Sequence, residues 1–145
     1  MKRKIMVCIT RQKTCERLIR MGKEIADHSK GELSVVHVAK IGTNFLDNPR
    51  EGEALEYLFQ ISKDAGADLT VLRSDNVVDT LVKFANENNM SVLIVGESPS
   101  IQNKNNIVHQ LRRRLPNTEI IVSSPETDRY SKIHLRQYIP LNGTV

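Results

Sequence analysis

Ile5-Met6-Val7-Cys8-Ile9-Thr10 and Ser91-Val92-Leu93-Ile94-Val95-Gly96 are the two stretches that decide the fold. Each is a continuous apolar run that stops at a small or polar residue. A strand with one wet face alternates apolar and polar side chains, whereas a strand covered on both faces does not. Both runs are too short for a buried helix. They therefore predict strands in the middle of a parallel sheet with helices on both sides.

Working outward from the first run, Cys15, Leu18, Ile19, Gly22, Ile25 and Ala26 recur at helical spacing, with Thr14 as the N-cap and Gly31 as the stop. Leu33 to Val38 reads as a second strand. A polar loop with Gly42, Asn44, Asn48 and Pro49 follows. The next helix carries Leu55, Leu58, Phe59, Ser62 and Ala65 on one face and ends at Gly66. Asp68 to Leu72 is a third strand, and Asp75 or Asn76 caps a helix whose inner face is Val78, Leu81, Val82 and Ala85. After the Ser91–Val95 strand, a polar loop from Glu97 to Asn106 leads to a fourth helix with Ile107, Leu111 and Leu115. Pro116-Asn117 ends it, and Glu119 to Ser123 is the fifth strand. The order β-α-β-α-β-α-β-α-β predicts right-handed crossovers and a doubly wound three-layer α/β sandwich.

Residues 1–124 make this one domain. Residues 125–145 lack a helical period but hold Tyr130, Ile133, Leu135, Tyr138, Ile139 and Leu141. Ile133 and Leu135 alternate with His134 and Arg136, so the extension reads as an edge strand or dimer arm, with a loose terminus as the alternative.

Composition narrows the function. The 145 residues are 39% hydrophobic and 26% charged, ordinary for a globular chain. No apolar run approaches the roughly 20 residues of a membrane span, and the basic Lys2-Arg3-Lys4 leads into a run too short for a signal peptide. The reading is a cytoplasmic domain without direct membrane insertion. A net charge of +4 falls short of a nucleic-acid footprint. Cys8 and Cys15 make neither a disulfide framework nor a zinc site. His28, His37, His109 and His134 have no metal-ligand spacing and read as surface or sheet histidines. The acidic residues form no close pair for acid–base work, and no nucleophile elbow or Walker sequence occurs. The expectation is a non-enzyme without a metal or cofactor.

The first strand, Leu18-Ile19 and Ile25-Ala26 in the helix after it, Val35-Val36-His37-Val38, and Val92-Leu93-Ile94-Val95-Gly96 resemble the universal stress protein family. With Glu16-Arg17-Leu18-Ile19-Arg20 after the first strand, the likeness is to the universal-stress-protein-like domain of Kdp-type potassium sensor histidine kinases. It covers roughly residues 3 to 124. The resemblance implies a five-stranded parallel sheet of order 3-2-1-4-5, a cleft between the carboxyl ends of strands one and four, a homodimer and a kinase partner. Physics places a ligand there too, because the connections leave the two strands in opposite directions. Nucleotide binders in the family use a glycine, two residues, a glycine, nine residues, then a glycine followed by serine or threonine. Here Gly96 supplies the first glycine, Pro99 and His109 occupy the other two positions, and Gln110 follows. Thr10 stands where ATP binders often carry an acid. Kdp-type domains also suggest a cyclic dinucleotide ligand, but their Ser-x-Ser pair is replaced near Thr10 and Gln12.

The candidate ligand-binding residues are Thr10, Arg11 and Lys13 after strand one, Val38 at the end of strand two, Gly96, and Ser98, Ser100, Asn105 and Asn106 in the loop before helix four. Cations and helix N-termini can hold phosphate oxygens, while solvated loops are the plainer reading of the same residues. Arg112-Arg113-Arg114 reads as a face that complements the helix dipole or as a docking patch. The function expected is a non-catalytic sensory or regulatory module that binds a small anion or a partner protein. The alternative is a nucleotide (ATP or AMP) binder with a degenerate glycine loop.

Overall fold

The computed structural model describes residues 3–10, 12–96 and 107–123. Lys4–Ile9 (β1), Glu32–Ala39 (β2), Asp68–Arg73 (β3), Val92–Gly96 (β4) and Glu119–Ser123 (β5) form one parallel sheet in the order β3-β2-β1-β4-β5. The helices are Gln12–Ser29 (α1), Glu51–Asp64 (α2), Val77–Glu87 (α3) and Ile107–Arg114 (α4). The predicted doubly wound sandwich and its strand order are what the structure has.

Successive strand residues point to opposite faces, and each central strand feeds two apolar layers. Val7, Ile9, Val35 and Ile94 join Leu18, Ile25 and Leu58 beneath α1 and α2. Met6, Cys8, Val36, Leu93 and Val95 join Leu81, Val82, Ala85 and Leu111 beneath α3 and α4. Covering both faces is why β1 and β4 are unbroken apolar runs.

Two glycines set how closely α1 lies on the sheet. A Cβ on Gly22 would stand 2.5 Å from Val7 Cγ2 and 2.8 Å from Leu33 Cδ1. At Gly31 it would stand 2.6 Å from the Arg3 carbonyl oxygen. The left-handed residue that ends α1 is Lys30, with φ 54°, and the Gly31 amide closes the cap by donating to Ala26 O at 2.7 Å. Gly31 thus ends the helix by its closeness to β1 and not by its own backbone conformation.

Two local expectations need correction. Helix α1 begins at Gln12, so Thr14 lies inside its first turn and is not the N-cap. The buried stripe of α2 is Ala54, Leu58 and Ser62, not the one through Leu55 and Phe59; Phe59 is 55% exposed. Leu58 and Ser62 are on the expected face, and the small Ala54 is the member that a search for large apolar groups passes over. Asn76, and not Asp75, caps α3, its side chain accepting from Asp79 N at 3.0 Å. The expectations for residues 125–145, including the alternation at Ile133 and Leu135, fall outside the described residues.

Candidate ligand site at the carboxyl ends of the strands

β1 feeds α1 and then β2 on one side, while β4 feeds α4 and then β5 on the other. The chain therefore leaves the neighbouring ends of β1 and β4 in opposite directions, which opens a crevice between them. Cys8 pairs with Val95, so Thr10 and Gly96 stand within two residues of that pair at the same end of the sheet. Thr10 is exposed directly after β1, and Gly96 closes β4. A Cβ at Gly96 would come within 3.3 Å of Leu18 Cδ1, so α1 lies tight against that strand end.

Lys13 falls in the first turn of α1, so its backbone is at this end too. Val38 is at the same end of β2, but it is buried in the layer beneath α3 and α4. It can serve the crevice only as apolar wall. Arg11, Ser98, Ser100, Asn105 and Asn106 lie outside the described residues. The fold thus brings Thr10, Gly96 and the start of α1 together, and sets Val38 apart.

The helix ends around the crevice differ from the others. α2 carries Glu51 and Glu53 in its first turn, and α3 carries Asp79. α1 and α4, which flank the crevice, have no acidic residue in theirs. A first-turn carboxylate offsets the partial positive charge of a helix N-terminus, and an anion in solution can do the same where none is present.

One functional group escaped the sequence reading. His37 is 2% exposed, and its ring joins two parts of the carboxyl edge. Nδ1 lies 2.6 Å from Ile9 O, and the Leu46 amide donates to Nε2 at 2.9 Å. Leu46 belongs to a 3-10 turn, Phe45–Asp47, in the loop expected to be plain polar connection. Phe45 meets the His37 ring edge-on at 5.8 Å between centroids, and the Arg73 guanidinium lies 3.9 Å over the Phe45 ring. Arg73 also donates to Thr43 O at 2.7 Å and to Glu51 Oε1 at 3.0 Å, and the Phe45 amide donates to that same oxygen at 2.9 Å. The only available signal was the polar His37 among the apolar Val35, Val36, Val38 and Ala39 of β2.

Reactive groups here are restrained. Burial pushes the Cys8 thiol up, and burial together with the Glu16 charge raises Cys15 to about 11. Both thiols are protonated at neutral pH and poor nucleophiles. Both nitrogens of His37 are engaged within the fold, so its ring is not available to a ligand. Among the described residues no cluster of His, Cys, Asp or Glu could hold a metal ion, and no helix is long and apolar enough to cross a membrane. A cavity of about 470 Å³ lies at the opposite, amino end of the sheet, lined among others by Lys4, Asp27, Glu32, Asp68 and Asn88. Its walls combine exposed polar side chains with the buried Ala26, Leu33 and Met90.

Comparison with known proteins fits this geometry. The universal stress protein family model matches residues 1–101. The chain belongs to the universal stress protein family. Over 96 residues, or 66% of the chain, it is 32% identical to the sensor protein KdpD of Mycobacterium tuberculosis. The match spans 11% of that much longer relative. A universal stress protein solved in complex with cAMP superposes with a TM-score of 0.59 at 16% identity, covering 84% of this chain and 96% of the other. The Archaeoglobus fulgidus universal stress protein in complex with dAMP gives 0.56 at 18% identity, covering 83% and 96%. At these identities the two structures establish a shared fold. This universal stress protein domain has the family's five-stranded α/β fold, with the sheet order β3-β2-β1-β4-β5.

Proposed function

We propose that the domain is a non-catalytic sensory or regulatory module that binds a small anionic ligand between the carboxyl ends of β1 and β4. The observation that carries this reading is the pair of helix N-termini, α1 and α4, which flank the crevice without a first-turn acid, while α2 has two and α3 one. The likeness to a KdpD sensor protein over its universal-stress-protein region supports a sensory role. In such a setting the module would act in the cytoplasm, as a homodimer or against a kinase partner.

A specific observation favours an adenine nucleotide as the anion. Two structural neighbours were solved with cAMP and dAMP. Gly96 keeps the first glycine of the family's phosphate loop, and the close packing on Leu18 gives that glycine a structural reason as well. Pro99 at the second glycine position has no N–H to donate. This departure favours a monophosphate or cyclic phosphate over a triphosphate, because fewer backbone donors are left to cradle the chain.

Thermal-shift and calorimetric titrations with AMP, cAMP, ATP, cyclic diadenylate and inorganic phosphate test the reading. A ligand at about 100 times its dissociation constant adds roughly 2.7 kcal/mol of stability. A shift with AMP or cAMP larger than with ATP is expected. A response to cyclic diadenylate alone would keep the sensory role and change the ligand. No response to any of the five would leave a protein-interaction module in its place.

A further inference from the structure

We infer that His37 is a proton-sensitive clasp that fastens the loop between β2 and α2 to the end of β1. The two contacts define its state. A carbonyl oxygen can only accept and an amide N–H can only donate. Ile9 O at 2.6 Å therefore fixes the proton on Nδ1, and the Leu46 amide at 2.9 Å requires a lone pair on Nε2. The ring is neutral and held as a single tautomer. A second proton has only Nε2 to go to, and there it would set two donors face to face. Protonation and the Leu46 contact exclude each other.

The loop has reason to let go once that contact is lost. Leu46 and Asp47 both sit in the left-handed region, at φ 55° and 57°, a conformation that costs non-glycine residues free energy. What holds them is the His37 contact, the burial of the Leu46 side chain, and the Arg73, Phe45 and Glu51 contacts of the same loop. The charged groups tied into this loop are Arg73 of β3, Glu51 of α2 and Asp47 of the turn itself. Burial is the main influence against a proton on His37, the Ile9 carbonyl favours one, and the Arg73 charge opposes it further. The net result is a ring held below its ordinary value of 6.5.

The direction of the pH effect follows. With its pKa lowered in the clasped state, His37 takes up a proton when the loop opens. The clasp is therefore fully effective above about pH 6.5 and is lost as pH falls through the window below it. The opening equilibrium rises by about tenfold for each pH unit below that value, until the clasped pKa is reached. Ile9 immediately precedes Thr10, so the loop and the strand end beside the crevice are joined through one ring.

Amide hydrogen exchange and imidazole nitrogen shifts, followed by NMR on the whole chain from about pH 8 to about pH 5, test this. At the upper end the ring should be the Nδ1–H tautomer. On acidification the intrinsic-rate-corrected protection of the Leu46 amide should fall by about tenfold per pH unit, while the β1 and β4 core amides hold. Protection of Leu46 that stays constant while His37 titrates overturns the proposal, as does a proton on Nε2 near pH 8. His37→Gln offers an acceptor that does not titrate and leaves Arg73, Glu51 and Asp47 in place. It should open without the pH dependence. If the same dependence persists in H37Q, it belongs to those other groups and the clasp is refuted. Should H37Q not fold, the wild-type titration alone decides.

Discussion

Beneath α3 and α4, Met6, Cys8, Val36, Leu81, Leu93 and Leu111 form a layer that is apolar throughout. Beneath α1 and α2 the corresponding layer carries His37 at its edge, has Gly22 where a large residue would be usual, and is tied across the top by Tyr57 donating to Glu16. The first face is secured chiefly by burial, which is non-directional and insensitive to pH, with one exposed ion pair, Arg114 to Asp79, joining α4 to α3. The second depends also on directional contacts, which place a strand end and a loop at fixed positions. The candidate crevice lies at the end of the strands that both faces share, and the groups able to adjust it sit on the polar side.

The comparison breaks first at Leu93. Leu93→Ala should cost about 2–5 kcal/mol, because the side chain is fully buried and its neighbours cannot collapse completely into the void. Urea denaturation at two pH values measures it, and the loss should be the same at both. A loss below about 1 kcal/mol would mean that the α3/α4 face is loosely packed.

A somewhat smaller effect is expected on the other face. In an exposed helix Gly→Ala gains up to about 1 kcal/mol, but at Gly22 the new methyl group would press on Val7 and Leu33. We expect Gly22→Ala to be destabilising by about 1–3 kcal/mol, read from the same denaturation curves. A gain in stability would show that α1 can lift from the sheet at little cost, and the closeness of this layer would lose its importance.

The smallest effect is local. Asn76→Ala removes the side chain that accepts from the Asp79 amide, and should cost about 1 kcal/mol. Circular dichroism melting checks it. No change would mean that packing of Val78 and Leu81 holds the start of α3 without its cap.

How much was legible varies with the kind of residue. Val78, Leu81, Val82 and Ala85 were read correctly because a helix face of medium and small apolar residues keeps its period. The α2 face was read correctly at Leu58 and Ser62 but turned too far toward Leu55 and Phe59, because the buried Ala54 is small and Phe59, though large and apolar, points to water. Thr14 looked like a cap, yet α1 begins two residues before it. Thr10 and Gly96 stand at the strand ends where the sequence put them, whereas Val38 faces the α3/α4 layer. His37 passed as an ordinary sheet histidine because its partners, Ile9 and Leu46, lie 28 and 9 residues away.

The sequence by itself determined the class of fold, the order of its elements and the end of the sheet where the connections part in opposite directions. Those properties follow from periodicity and from unbroken apolar strands, which are local and repeated, so single misreadings do not disturb them. Only the tertiary structure decided that Gly22 and Gly31 are required by close approach, that a turn at Phe45–Asp47 folds back over the strand ends, and that His37 is neutral and doubly bonded. Each of these rests on a contact between residues distant along the chain. Hydrogen-bond geometry acts over about 3 Å and leaves no period in the sequence.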